Sequence, residues 1–167
     1  TLCKCILGLL KVAEGNISFS GEDLSNLPTY EIAQLGIAYV PQGREVFSKL
    51  TVEENLQLAI NASKRSGDID IAWNCFPSIA DFRNRRAGRL SGGEQQLVSI
   101  ARALVTKPKF ILLDEPAEGL HASAIQRLSE SLMIAAKELK ITLLIVEQNI
   151  ELVKSVASTC AFLVDGM

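Results

Sequence analysis

Three short apolar runs constrain this chain more than anything else in it: Gly36–Val40 (GIAYV), Phe110–Leu113 (FILL) and Ile141–Val146 (ITLLIV). Each run is continuous rather than alternating, the pattern of strands covered on both faces of a parallel sheet. Amphipathic helical patterns follow the later runs. Ser123–Leu139 carries Ile125, Leu128, Leu132, Ala135 and Leu139 on one stripe, and Asn149–Ala157 reads as a further helix before a last apolar strand, Cys160–Val164. Strand and helix in alternation predict an α/β fold. In such sheets ligands bind beyond the carboxyl ends of the strands. Three runs end there in suitable polar residues: Gln42 after the first, Asp114 and Glu115 after the second, and Glu147, Gln148 and Asn149 after the third.

The rest of the chain is read more coarsely. Residues 1–10 (TLCKCILGLL) read as a helix with Leu2, Ile6, Leu9 and Leu10 on its buried side. Gly15–Gly21 alternates as a short strand, and Leu27–Leu35 reads as a short helix with Pro28 in its first turn. The middle, residues 43–105, is mostly helical. Thr51-Val52-Glu53-Glu54 has the form of a capping box opening a helix through Ile60, and a short helix follows at Ile71–Cys75. Phe82–Arg89 reads as a loop. Ser91 then opens a second capped helix with Leu97, Val98, Ile100, Ala101, Leu104 and Val105 on its apolar side. A chain of 167 residues that is 48% hydrophobic suits one domain with a substantial core.

Charge and cysteine usage narrow the function classes. A net charge of -2 supplies no basic field for a nucleic-acid backbone. Arg83, Arg85, Arg86 and Arg89 lack interleaved aromatics and read as a solvated loop. Cys3, Cys5, Cys75 and Cys160 form no C-x-x-C pair and meet a single histidine, which favours free thiols of a reducing compartment over a zinc site. No apolar run approaches the ~20 residues that cross a bilayer.

Two segments carry chemistry. An acid at the end of a buried strand is costly to bury alone, and a divalent cation would compensate it. Asp114 is then the Mg2+ holder and Glu115 the general base facing an attacking water; a solvated strand-end turn is the plain alternative. In Leu90–Gln96 (LSGGEQQ), Ser91 and Glu94 make a capping box. Gly92 and Gly93 are poor helix formers, at ~1 kcal/mol each against alanine. They make sense where another molecule must approach the backbone, and the free N–H groups of a helix start suit a phosphate.

LSGGEQQ resembles the signature motif of ABC ATPases, FILLDEP their Walker B strand, and Tyr39-Val40-Pro41-Gln42 their Q-loop, in the family's order. More narrowly, VPQGREVFSKLTVEENL, CFPSIADFRNRRAGRLSGGEQQ, DEPAEGL and LLIVEQN resemble the ATPase subunits of branched-chain amino-acid and urea uptake systems. The resemblance implies a P-loop NTPase (RecA-like) fold, a mostly parallel sheet flanked by helices with an inserted α-helical signature subdomain. Residues 1–167 are then one ABC ATPase domain, with 1–42 and 106–167 in the core and 43–105 in the helical part. ATP and Mg2+ are the implied cofactors. The implied partners are a second ABC ATPase subunit, head to tail, and an integral membrane permease, with no nucleic acid; the implied place is the cytoplasmic face of the inner or plasma membrane.

The same resemblance assigns residues. Glu115, Gln148 and Gln42 are the catalytic set, and Asp114 and Gln42 hold Mg2+. Ser91, Gly92, Gly93 and Glu94 touch ATP held by the partner subunit. Arg44, Glu45, Val46 and Phe47 meet the permease. In the family the G-x-x-x-x-G-K-[ST] loop runs into Thr-Leu and a helix, which places that loop just before Thr1. The 167 residues alone are therefore expected to bind and hydrolyse no measurable ATP. Millimolar binding needs about 4 kcal/mol, and one contact at a helix end supplies ~0.3–2 kcal/mol.

Two departures stand out. Gln148 replaces the histidine of most members, as the nearest subfamily tends to do. His121 falls where an aspartate is common and reads as a surface turn residue rather than a catalyst. The competing readings are a soluble ABC-type ATPase acting on ribosomes or DNA, and a fragment without activity of its own.

Overall fold

The computed structural model describes residues 1–163. The chain opens with helix α1 (Leu2–Ile6), a two-residue antiparallel hairpin of β1 (Ser18–Phe19) and β2 (Glu22–Asp23), helix α2 (Thr29–Gln34) and strand β3 (Ile37–Val40). Four helices follow: α3 (Val52–Ala62), α4 (Asp70–Cys75), α5 (Pro77–Ala80) and α6 (Gly92–Leu104). Strand β4 (Phe110–Asp114), helix α7 (Ala122–Leu139), strand β5 (Thr142–Val146) and helix α8 (Ile150–Val156) complete it.

Strands β3, β4 and β5 form one parallel sheet with β4 in the centre. Successive side chains on a strand point to opposite faces. Ile111 and Leu113 accordingly enter a large cluster under α3, α4, α6 and α7, while Leu112 enters a smaller one with Leu7, Leu24, Ile32 and Ile37. Strand β4 is thus covered on both sides, as its continuous apolar run predicts. Strand β5 is only half-buried, because among the described residues it pairs along one edge only.

The stripe on α7 buries Ile125, Leu128, Leu132 and Ala135, and the apolar side of α6 buries all six of its named residues. Both capping boxes form. Thr51 and Ser91 each accept from the backbone three residues on, and Glu54 and Glu94 reach back to the N-cap amides. These ends are set by local hydrogen bonding alone, which is why the sequence announces them.

Five expectations change. Helix α1 stops at Ile6 and turns at Gly8 (φ +68°), where a Cβ would stand 2.6 Å from the Leu27 carbonyl oxygen. Cys3 and Leu7 are consequently the buried residues, while Leu2, Leu9 and Leu10 are exposed. The single strand read over Gly15–Gly21 is half of the β1–β2 hairpin, whose turn residues Ser20 and Gly21 both have positive φ. Pro28 sits one residue earlier than expected, as the N-cap of α2. The segment before α6 contains a short 3-10 turn, Ala87–Arg89, and α5 precedes it. Finally, Cys160–Leu163 form no strand, and Val164 lies outside the described residues. An apolar run becomes a strand only where a sheet edge receives its backbone.

Candidate functional site

The parallel register brings the strand ends level: Val40 lies beside Leu113, and Asp114 beside Val146. The residues that follow therefore share one rim. Glu115 is its centre. It adopts a left-handed backbone (φ 47°) and donates its amide to the Val146 carbonyl at 2.8 Å. One carboxylate oxygen accepts from Gln42 Nε2 and the other from Gln148 Nε2, both at 3.1 Å. Gln42, Glu115 and Gln148, each from a different strand end, are thus one hydrogen-bonded group. A left-handed non-glycine residue is a costly conformation that clusters at functional sites.

Asp114 is half-buried beside it and accepts from the Tyr39 hydroxyl at 3.2 Å. Burial first, and then the Asp114 charge, push the Tyr39 phenol up to about 12. The neutral phenol therefore stays a donor to Asp114. Among the described residues no three-acid metal cluster exists. The Asp114 carboxylate and the Gln42 amide lie on the same rim, and one or two such protein oxygens together with substrate phosphates would suit a Mg2+.

Glu147 was read only as a polar strand end, and its role is structural. One oxygen accepts from the Ala117 amide at 2.7 Å, the other from the amides of Gln148 at 2.7 Å and Asn149 at 2.9 Å. It ties the loop after β4 to the loop after β5. Nothing in the local sequence marks this, because Ala117 lies on a different element. Asn55 was missed likewise. It is fully buried and holds the loop before α3, accepting from Phe47 N at 2.9 Å and donating to the carbonyls of Phe47 at 3.1 Å and Thr51 at 2.8 Å.

The tip of α6 stands on a second cleft of about 440 Å³, lined by Ser91, Gly92 and Gly93 together with Arg44, His121 and Arg127. Ser91 is exposed there. Glu94 spends its carboxylate on the Ser91 amide at 2.6 Å and so acts as a cap. His121 is the N-cap of α7, its Nδ1 accepting from the Ala124 amide at 3.2 Å.

Of the four residues expected to meet a permease, Glu45 and Phe47 are exposed and Val46 is half-buried. Arg102 lies over the Phe47 ring, 4.7 Å from its centroid, and donates to the Glu45 carbonyl. Arg44 is half-buried. Its guanidinium turns to the carbonyls of Glu118 and Gly119, at 3.3 and 3.1 Å. A larger cleft of about 910 Å³ runs beside β3 from Tyr30 and Arg65 to Tyr39, Gln42, Arg102 and Asp114.

A parallel sheet with an acid-bearing rim and a separately capped, glycine-started helix defines an ATP-binding cassette. The "ABC transporter" family model matches residues 1–118, and the chain belongs to that family. It is 38% identical to the "Probable branched-chain amino acid transport ATP-binding protein LivF" of Archaeoglobus fulgidus, over 99% of this chain and 72% of the relative. It is 41% identical to the "High-affinity branched-chain amino acid transport ATP-binding protein BraG" of Pseudomonas aeruginosa, over 89% of this chain and 65% of that one. Among solved structures it resembles the ATP-binding cassette MJ1267 in its ADP conformation (TM-score 0.74, 29% identity, 93% of this chain and 68% of that one). It also resembles the dimeric post-hydrolysis cassette MJ0796 bound to ADP and Pi (TM-score 0.75, 26% identity, 93% and 72%).

Proposed function

We propose that this chain is part of the ATP-hydrolysing subunit of a solute uptake transporter, with branched-chain amino acids as the first candidate solutes. The observation that carries the reading is the Glu115 carboxylate, held between the amides of Gln42 and Gln148 on a rim that also bears Asp114. That arrangement fixes a general base while leaving it hydrogen-bonded to groups that a water molecule can displace. Asp114 and Gln42 hold Mg2+, which supplies charge neutralisation at the phosphates. Gln148 contributes a neutral donor to the Glu115 carboxylate.

The α6 tip serves the nucleotide of a second copy packed head to tail. Ser91, Gly92 and Gly93 face the open cleft, and Glu94 keeps the tip's shape. Glu45, Val46 and Phe47, beside the larger cleft, meet a permease, which places the subunit at the cytoplasmic face of a membrane. Among the described residues no helix is long and apolar enough to cross that membrane itself. The names of the two curated relatives support the solute class.

The test is Glu115→Gln in the full-length protein reconstituted with its permease. ATP hydrolysis should fall about a hundredfold or more while nucleotide affinity is retained. Labelled leucine, isoleucine or valine should accumulate only in vesicles carrying the unsubstituted protein. Undiminished hydrolysis in the variant refutes the role of Glu115, and uptake indifferent to all three amino acids refutes the solute.

A further inference from the structure

Arg44 stands where three segments meet. Its Nη2 donates to the carbonyls of Glu118 and Gly119 in the loop after β4. The same guanidinium lies across the first residue of α6. A Cβ on Gly92 would fall 2.0 Å from Nη1 and 2.5 Å from Cζ, and a Cβ on Gly119 would fall 2.9 Å from Nη2. A side chain at either glycine would press on this one guanidinium, and at Gly119 (φ 64°) the backbone itself also favours glycine. Within the chain itself, the group that approaches the backbone of the glycine at the start of α6 is Arg44.

Two residues earlier, Gln42 donates to Glu115. The segment after β3 is thus pinned to the segment after β4 at two points, and the guanidinium extends that connection to α6. The backbone bends to allow it, with Gly43 (φ 89°) and Arg44 (φ 26°) both in the positive region. A planar guanidinium can satisfy carbonyls along one edge while lying flat on a helix start; an ammonium group, a compact point charge, cannot do both.

We infer that Arg44 is a positioning residue that fixes the α6 tip relative to Glu115. The inference rests on the function proposed above, in which Glu115 works on the chain's own nucleotide and the tip on that of the second copy. Arg44 then sets the spacing between two nucleotide sites from the wall of the cleft onto which Ser91, Gly92 and Gly93 open. It sits beside Glu45–Phe47, so it also ties that spacing to the surface assigned to the permease.

Two measurements on the full-length protein test it. Thermal melts of wild type, Gly92→Ala, Arg44→Ala and the double variant form a double-mutant cycle. With Arg44 present, Gly92→Ala should melt about 3 °C lower, because the guanidinium must leave its two carbonyls to make room. With Arg44→Ala, the same substitution should leave the melting temperature within about 1 °C or raise it, since alanine favours the helix. Equal shifts in both backgrounds overturn the contact.

In steady-state hydrolysis at a temperature where both variants are folded, Arg44→Ala and Arg44→Lys should each lower kcat about tenfold with KM for ATP held within about twofold. A wild-type kcat in Arg44→Ala, or full rescue by lysine, overturns the positioning role. A wild-type protein with no hydrolysis at all refutes the proposed function instead, and the melting cycle still decides on Arg44.

Discussion

The Glu147 carboxylate accepts the amide of Ala117 at 2.7 Å and so joins two loops that are 30 residues apart in the chain. Its other oxygen takes two more amides, at Gln148 and Asn149. Charge-assisted bonds to backbone amides are among the stronger hydrogen bonds. Glu147→Ala should lower stability by about 2 kcal/mol, read by urea unfolding. It should also weaken hydrolysis, because Gln148 reaches Glu115 from the loop that Glu147 fixes. Glu147→Gln, which still accepts through one oxygen, should lose less.

Tyr39 gives a signature at high pH. Its pKa is raised to about 12 in the fold, against about 10 for a free phenol. A raised folded-state value favours the neutral form, so the stabilisation is fully present below pH ~10 and is lost as pH rises through ~12. Tyr30, the other tyrosine, is raised as well, through its hydrogen bond to Glu31. Tyrosinate absorbance should therefore develop late, and Tyr39→Phe should remove part of it together with the Tyr39 share of the alkaline loss of stability, Tyr30, Cys3 and Cys75 keeping theirs.

Asn55 holds the loop carrying Phe47 from beneath, fully buried. Asn55→Ala leaves the Phe47 amide without its acceptor, while the carbonyls of Phe47 and Thr51 keep the amides of Leu50 and Asn55, and should cost about 1–2 kcal/mol in urea unfolding. Asn55→Asp should fare little better, since a carboxylate can accept from Phe47 but cannot donate to either carbonyl. Unchanged stability in both variants would contradict the contacts.

His121 caps α7 through Nδ1. His121→Ala should cost about 1 kcal/mol, and His121→Asp should match or exceed wild-type stability because a carboxylate suits the positive end of a helix. Thermal melts decide between this capping role and a catalytic one, in which hydrolysis rather than stability would fall.

Which features were legible in the sequence follows from how local their causes are. The capping boxes at Thr51 and Ser91 rest on atoms three residues apart, and both form as read. The stripes on α6 and α7 need only the helical period. The rim of Gln42, Asp114, Glu115 and Gln148 was also within reach, since parallel strands in a common register bring their carboxyl ends level. The face of α1 was misread because its helix ends at a turn packed on Leu27, 19 positions beyond Gly8 in the numbering. The run Cys160–Leu163 was misread because apolar character alone cannot supply a neighbouring strand.

The chain's own order of residues thus determined the three-stranded parallel sheet, the helix starts and the group of side chains beyond the strand ends, all consequences of short-range periodicity and local hydrogen bonding. Only the tertiary structure decided which way Arg44 turns, which amides Glu147 gathers and what fills the space above Gly92. Those contacts join residues dozens of positions apart, and their partners are fixed by how the packed elements bring backbone atoms within hydrogen-bonding reach, a distance no local pattern encodes.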